Sequence, residues 1–174
     1  MELHEGIALI EDDRLRGEKA QRWADLGCGS GFFSEALASL LPGGSTIYAA
    51  DKGWSLPHRR VTDNQIAIEP LRLDFVRDRL PFDELDGILM ANSLHYVKDP
   101  LAFLRTAQRY LKPNHRFLIV EYDIERGNPW VPYPLSFRQL QNLFSEAGYR
   151  TIEKLHERPP VRGFSKMYAA WIKG

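Results

Sequence analysis

The chain contains a single cysteine, Cys28, among its 174 residues. One cysteine excludes an internal disulfide framework and fits a protein of the reducing cytoplasm. Lys and Arg number 23 and Asp and Glu also number 23, so nothing indicates a strongly basic nucleic-acid-binding protein. No apolar run approaches the length of a membrane span, and the first residues lack the features of a signal peptide. We therefore expect a cytoplasmic protein without a membrane partner.

Internal repeats, low-complexity segments and clusters of metal-ligating residues are also missing from the sequence, so no metal site is predicted. The length and the 44% apolar content suit one globular domain over residues 1–174, with a short N-terminal segment, 1–20. The few apolar residues of that segment predict one short helix around Glu11 to Gln21.

Three glycines occur together in the stretch Asp25-Leu26-Gly27-Cys28-Gly29-Ser30-Gly31. Residues 21–26 read as a strand, and apolar residues from Phe32 to Leu41 recur at helical spacing. Glycines between a strand and a helix mark backbone that turns tightly and lets a ligand approach closely. The free amides at the start of the helix then face that ligand.

The glycine spacing narrows the class of ligand. Dinucleotide sites use G-x-G-x-x-G, whereas this stretch has G-x-G-x-G preceded by Asp25. An acid there would repel a pyrophosphate and suits a ligand with an ammonium or sulfonium group. The alternative is a glycine-rich turn that binds nothing.

The stretch resembles the first motif of the class I S-adenosylmethionine-dependent methyltransferases, and the order of elements extends the resemblance from about Arg22 onward. It implies a three-layer, doubly wound α/β fold with a mostly parallel seven-stranded sheet whose last strand is antiparallel. It implies that Asp25 holds the charged end of S-adenosylmethionine and that the loop, with Gly27, Gly29 and Gly31, wraps its methionine part. Cys28 is then a small residue lining the pocket rather than a nucleophile.

Asp51 follows a predicted buried strand, 45–50, about 20 residues beyond the glycine loop. A carboxylate at this distance is placed to accept both ribose hydroxyls of an adenosine, and Lys52 beside it is assigned to the same cofactor site. The alternative is an ordinary acidic turn residue. The following connection is irregular where the family has a helix, and Trp54 with residues 58–60 suggests a solvated loop rather than a substrate path.

Two further strand ends complete the predicted cofactor site. The third strand is placed at 71–73, because Pro70 cannot donate within a central ladder. The resemblance then assigns Asp74 and Phe75 to the adenine, although Asp74 could equally cap a helix. The fourth strand, 85–91, ends in Asn92-Ser93-Leu94-His95-Tyr96. This resembles the fourth motif of the branch that methylates mostly small molecules, so Asn92 and Ser93 should touch the cofactor.

The remaining elements follow the order of the family. Asp99 and Pro100 start one helix, and a capping box formed by Ser136 and Gln139 starts another that Gly148 stops. Further strands are predicted at 116–122, 149–157 and 166–172, the last two joined by a hairpin loop. The proline-rich, aromatic segment 126–135 is either a lid over the acceptor or a packed loop.

The candidate catalytic residues are His95, Tyr96, Tyr122 and Glu121, in that order. Histidine ordinarily changes its charge near neutral pH, so His95 could remove a proton from the acceptor. It could also pack beside the pocket and form a hydrogen bond with a backbone carbonyl. We expect methyl transfer to a small molecule. The alternatives are a protein or RNA acceptor, a non-catalytic cofactor-binding partner subunit, and a nicotinamide oxidoreductase. Because the N-terminal segment is short, we expect an open site or one completed by another chain.

Overall fold

The computed structural model describes residues 1–53, 55, 57–160 and 165–174, so Trp54 and part of the predicted hairpin loop lie outside the described residues. Its eight strands are β1 (Arg22–Leu26), β2 (Thr46–Asp51), β3 (Arg60–Val61), β4 (Ala67–Arg72), β5 (Leu85–Ala91), β6 (Leu111–Tyr122), β7 (Thr151–Arg158) and β8 (Met167–Lys173). They form one sheet in the order β3-β4-β2-β1-β5-β6-β8-β7.

The sheet is mostly parallel, as predicted. Strands β4, β2, β1, β5 and β6 pair in parallel, while β8 runs antiparallel to both of its neighbours, β6 and β7. The predicted number of seven strands was wrong, because the two-residue β3 adds an antiparallel edge beside β4. Two residues are too few to leave a periodic signal in the sequence.

Helices cover both faces of the sheet. They are α1 (Leu3–Ile10), α2 (Phe32–Ala38), α3 (Pro100–Ala107) and α4 (Phe137–Glu146). Helices α1 and α2 pack on one face, around Trp23, Leu118 and Trp171. Helices α3 and α4 pack on the other face, around Ile88 and Phe117. The result is the expected three-layer arrangement. No helix among the described residues has the length and apolar character needed to cross a membrane.

The predicted starts of α3 and α4 are confirmed by their caps. The Asp99 carboxylate accepts a hydrogen bond from the Ala102 amide (3.0 Å). At α4, the Ser136 amide donates to the Gln139 side chain (2.9 Å), and the Gln139 amide donates to the Ser136 hydroxyl (3.4 Å). Both helices start at the residue after the cap, because these side chains satisfy amides that lack intrahelical partners.

The predicted N-terminal helix around Glu11 to Gln21 was wrong. The helix lies earlier, as α1, where the Glu2 amide donates to the Glu5 carboxylate (2.7 Å). The predicted span contains only a short 3₁₀ turn, Asp13–Leu15, capped by the Asp12 side chain. Side-chain caps at both places therefore outweigh the weak apolar pattern on which the prediction rested.

The third strand of the prediction was also misplaced, since β4 begins at Ala67 and includes Pro70. The amides of Ala67 and Leu73 donate toward β2, so the alternation of a strand turns the nitrogen of Pro70 to the opposite side. The short β3 pairs only with Ala67 and Ile68 and does not reach Pro70. The proline thus occupies an edge position at which no donor is needed. In the connection before β3, none of the described residues is helical.

Candidate active site

The parallel strands bring the predicted site residues to one edge of the sheet. Strands β1, β2, β4, β5 and β6 all point the same way, so the loops that follow them meet at their carboxyl ends. In open α/β sheets this edge is where ligands bind.

The glycine loop after β1 is fixed by its own backbone and by β2. The amides of Gly27 and Cys28 donate to the Ala50 carbonyl (2.8 and 3.1 Å), and the Gly31 amide donates to the Cys28 carbonyl (2.9 Å). Gly27 has φ +82°, and a Cβ there would collide with the Ser93 side chain. Gly29 has φ +53°, and a Cβ there would meet no atom of the described residues within 4 Å. The loop therefore leaves open space above Gly29 for a ligand to approach the backbone closely.

Asp25 is buried beneath this loop, with 1% of its surface exposed. The Ser34 hydroxyl donates to its Oδ2 (2.6 Å), and Oδ1 has no hydrogen-bond partner among the described residues. Burial raises the pKa of Asp25 to about 7, opposed by the Ser34 hydrogen bond and assisted by the charge of Asp51. A buried carboxylate oxygen without a donor is costly unless a ligand supplies the donor or a positive charge.

Ser34 was missed in the sequence analysis. It lies three and four residues before Leu37 and Ala38, so helical spacing places it on their buried face. A hydroxyl on the buried face of the helix after Asp25 was the available signal.

Asp51 is the last residue of β2 and is bonded on both carboxylate oxygens. The Gly29 amide donates to Oδ2 (2.9 Å), and the Gly53 amide donates to Oδ1 (2.7 Å). These bonds tie the end of β2 to the glycine loop. Each oxygen retains a lone pair that can accept a further hydrogen bond.

A cavity of about 380 Å³ opens beside Asp51. Its wall includes seven of the predicted cofactor residues, which are Gly27, Asp51, Lys52, Asp74, Phe75, Asn92 and Ser93. The sequence analysis did not identify three further wall residues, which are Val76, Arg77 and Lys98. They lie in connections that carry no motif, so proximity in the fold was the only signal.

Two of the predicted contacts are partly used by the protein itself. The Val76 amide donates to the Asp74 Oδ1 (3.0 Å), so Asp74 caps a turn rather than the alternative helix. The Ser93 hydroxyl donates to the Leu26 carbonyl (2.6 Å) and so joins the loop after β5 to β1. Phe75 packs against the core beside Phe103, with ring centroids 5.7 Å apart. These bonds hold the cavity wall in place.

The chemistry of this wall, together with that of the glycine loop and of Asp25 beneath the loop, fits S-adenosylmethionine. The unsatisfied oxygen of Asp25 suits the cationic end, Asp51 can accept from ribose hydroxyls, and the space above Gly29 admits a close ligand. Four of the predicted cofactor residues are not part of the described cavity wall, namely Asp25, Cys28, Gly29 and Gly31. Burial, together with the charges of Asp25 and Asp51, raises the pKa of the Cys28 thiol, so the reactive thiolate is disfavoured.

A second cavity, of about 460 Å³, lies next to the first, and Asn92 and Tyr96 belong to the walls of both. The rest of its described wall combines aromatic, amide, aliphatic and hydroxyl side chains: His95, Tyr122, Ile124, Asn128, Trp130, Val131 and Ser165. We call this second space the acceptor cavity.

Asn92 stands where the two cavities meet. Its φ of +53° is a left-handed conformation that few residues other than glycine adopt. Its side-chain Oδ1 is buried and has no hydrogen-bond partner among the described residues. Strained backbone and an unsatisfied acceptor occurring together are typical of a ligand-binding position.

His95 and Glu121 form a buried pair at the acceptor cavity, with 2% and 0% of their surfaces exposed. The His95 Nδ1 lies 2.6 Å from Glu121 Oε2, and the His95 amide donates to Oε1 (3.1 Å). The expected alternative, a backbone carbonyl as partner of the ring, is not what the structure shows. His95 belongs to the cavity wall whereas Glu121 does not, so Glu121 can act only through the histidine.

The two predicted tyrosines both face the acceptor cavity. Burial and the charge of Glu121 raise the pKa of Tyr122, so its phenol stays protonated and can donate a hydrogen bond. Tyr96 is 55% exposed, and its ring centroid lies 4.3 Å from that of His95.

The segment 126–135 forms part of the cavity wall and is bonded to the site. The amides of Trp130 and Val131 donate to the Asn128 side chain (2.9 and 3.0 Å). The Tyr133 amide donates to the His95 carbonyl (3.0 Å), and Tyr168 donates to the Leu135 carbonyl (2.8 Å). The segment is therefore an ordered loop whose position is coupled to that of His95.

Comparison with known proteins places this arrangement in a family. The family model described as "Methyltransferase domain" matches residues 7–154. The chain is 24% identical to an O-methyltransferase of Pyrenophora dematioidea over 173 residues, which covers 91% of this chain and 65% of that protein. It is 31% identical to the ubiquinone biosynthesis O-methyltransferase of Dinoroseobacter shibae over 98 residues, which covers 55% of this chain and 38% of that protein. The chain thus spans less than two thirds of these curated relatives.

The fold is similar to that of solved methyltransferases. A SAM-dependent methyltransferase from Aquifex aeolicus superposes with a TM-score of 0.63 at 20% identity, over 99% of this chain and 98% of the other. The chain therefore belongs to the methyltransferase-domain family, and its predicted kinship with the class I S-adenosylmethionine-dependent methyltransferases is confirmed.

Proposed function

We propose that this domain transfers a methyl group from S-adenosylmethionine to a hydroxyl oxygen of a small molecule, with His95 as the general base. The observation that carries the proposal is the buried His95–Glu121 pair at the acceptor cavity. This cavity adjoins the cavity beside Asp51, which we call the cofactor cavity. The relatives named as O-methyltransferases support transfer to oxygen.

The cofactor cavity supplies binding and orientation. Asp25 would face the cationic end of S-adenosylmethionine, and Asp51 would accept from its ribose hydroxyls while it holds the glycine loop. When bound, the cofactor supplies an electrophilic methyl group on a sulfonium sulfur. The chain therefore contributes mainly alignment of the acceptor and exclusion of water, which are worth roughly 7–11 kcal/mol in well-oriented reactions.

Glu121 determines which nitrogen of His95 is basic. A carboxylate accepts hydrogen bonds, so the proton of the neutral ring lies on Nδ1 and Nε2 carries the free lone pair. Nε2 can take the acceptor's hydroxyl proton, and Glu121 stabilises the resulting imidazolium ion. Such a base contributes about 10²–10⁴-fold to the rate. Glu121 is thus a positioning residue and His95 the catalytic one.

A small acceptor is favoured by the volume of the acceptor cavity, about 460 Å³, which lies within the usual range of small-molecule sites. A protein or RNA acceptor, and a non-catalytic subunit that only binds the cofactor, are the alternatives. With the first alternative, protein or RNA becomes methylated instead of a small molecule. With the second, nothing becomes methylated.

Radiolabelled S-adenosylmethionine tests the proposal directly. The protein is incubated with the small-molecule, protein and RNA fractions of a cell extract, and label is expected in the small-molecule fraction. Replacing His95 with Gln should lower kcat about 10²–10⁴-fold without changing the Kd of S-adenosylmethionine. The kcat of Glu121→Gln should lie between that of His95→Gln and that of the wild type.

The matched control is His4→Gln, which changes an exposed histidine far from His95 in the sequence. Full activity of His95→Gln would refute the role of the base. Failure of the wild type to bind S-adenosylmethionine, or label only in protein or RNA, would refute the proposed function.

A further inference from the structure

The described residues of the acceptor-cavity wall have one electrostatic feature in common. None of its described residues is Lys, Arg, Asp or Glu. Arg158, whose charge acts on Tyr122, donates to the Glu5 carboxylate at 3.2 and 3.3 Å. A carboxylate or phosphate on the acceptor would lose water without gaining a cationic partner from these residues, which is costly.

Trp130 is the second informative feature of the cavity. It belongs to the wall, yet 80% of its surface is exposed. A large aromatic side chain left open beside a cavity is more informative than a scattered exposed apolar residue, because its face is available to a ligand.

The backbone at Trp130 is held by hydrogen bonds within its own loop. Its amide and that of Val131 share the Asn128 side chain as acceptor, and Asn128 and Val131 form a β-bridge. The Tyr133 amide, three residues on, is bonded to the His95 carbonyl. The indole is thus presented by an ordered turn that is linked to the base, so a ring stacked on it would be held at a set position relative to His95.

We propose that the acceptor is a flat aromatic hydroxyl compound without a negative charge, and that Trp130 selects it by stacking on its ring. The inference rests on the proposed methyl transfer. The hydroxyl proton moves to His95 Nε2, a lone pair of the aromatic oxygen forms the bond to the methyl carbon, and the electron pair of the broken carbon–sulfur bond stays on sulfur. A cavity of about 460 Å³ has room for one or two fused rings.

A matched ligand series tests the class of acceptor by binding. Calorimetric titration of the protein with catechol, naphthalene-2,3-diol, cyclohexane-1,2-diol and 3,4-dihydroxybenzoate changes the ring and the charge separately. The two uncharged aromatic diols should bind at least about tenfold more tightly than the saturated diol and the carboxylate, because only they can stack without burying an anion.

Variants of two exposed aromatic residues on one loop test the role of Trp130. Trp130→Ala should weaken the binding of naphthalene-2,3-diol roughly tenfold, and Trp130→Phe should restore most of that affinity. The Kd of S-adenosylmethionine should stay unchanged in both variants. Tyr133→Ala is the control, since Tyr133 is also exposed but is not part of the described cavity wall.

The outcomes separate this inference from the proposed function. Equal binding of saturated and aromatic diols, tighter binding of the carboxylate, failure of both aromatic diols to bind, or an unchanged affinity in Trp130→Ala would each overturn the inference. Failure of the wild type to bind S-adenosylmethionine would overturn the proposed function instead, because the diol titrations are made without that cofactor.

Discussion

Replacing Asp25 with Asn is expected to stabilise the ligand-free protein at pH 8 and to weaken its binding of S-adenosylmethionine. Burial raises the pKa of the Asp25 carboxyl to about 7, far above its ordinary value of 3.8. Above neutral pH the folded protein therefore holds an ionised carboxylate in a position where one oxygen has no described hydrogen-bond partner. Asn keeps the shape of the side chain and removes the charge.

The sign of the pH dependence follows from the two pKa values. Below about pH 4 the carboxyl is protonated in the folded and the unfolded chain alike. Between about pH 4 and pH 7 only the unfolded chain releases its proton, so the free energy of unfolding falls as the pH rises. Three pKa units at about 1.4 kcal/mol each give a total loss of about 4 kcal/mol, of which roughly 3 kcal/mol falls between pH 5 and pH 8.

The amide donor that Asp25→Asn introduces would offset part of this gain, since a buried donor without a partner costs about 1–3 kcal/mol. The net stabilisation at pH 8 is therefore about 1–3 kcal/mol, or roughly 2–10 °C in Tm for a chain of this size. The sign of the effect at pH 8 and the pH dependence are both distinctive of Asp25.

Urea denaturation at pH 5 and pH 8, followed by far-UV circular dichroism, measures the effect. The fall in free energy of unfolding between the two pH values should be roughly 3 kcal/mol smaller in Asp25→Asn than in the wild type. Asp63→Asn, a change at an exposed aspartate, is the control and should behave like the wild type. Equal falls in Asp25→Asn and the wild type would refute the argument.

Two further changes examine the cofactor cavity. Gly27→Ala should destabilise the protein by about 1–3 kcal/mol in thermal denaturation, because a Cβ there is strained at φ +82° and collides with Ser93. Gly29→Ala, whose Cβ meets no atom of the described residues, should lower the stability by only about 1 kcal/mol yet weaken the binding of S-adenosylmethionine. Equal losses of stability in the two variants would contradict this contrast. Asp51→Ala should weaken the binding of S-adenosylmethionine at least about tenfold in equilibrium titration, because it removes a carboxylate that also holds the Gly29 amide. An unchanged Kd would exclude Asp51 from the site.

Much of the fold could be predicted because its signals are local. The caps at Asp99 and Ser136 and the apolar strands β5 and β6 each depend on residues adjacent in sequence, and the structure has these elements. The edge strand β3 and the extent of β4 depend on which strand lies beside them. That information is held in the register of the sheet rather than in either segment.

The candidate site divides in the same way. Asp25 and Asp51 lie at the ends of β1 and β2, and the glycine loop follows β1, so motif spacing could predict that they meet. The pairing of His95 with Glu121 joins residues 26 positions apart, and the sequence indicates them only as separate candidates. Their contact depends on the alignment of β5 with β6, which the sequence pattern does not specify.

The common wall of the two cavities has a consequence for inhibitors. Because Asn92 and Tyr96 belong to both walls, an adenosine group and a planar ring could be carried by one compound with a short tether. Binding of the first group would raise the local concentration of the second, so the two affinities would reinforce each other. Such bisubstrate compounds would exploit the border between the cavities, where neither half alone makes full use of the protein.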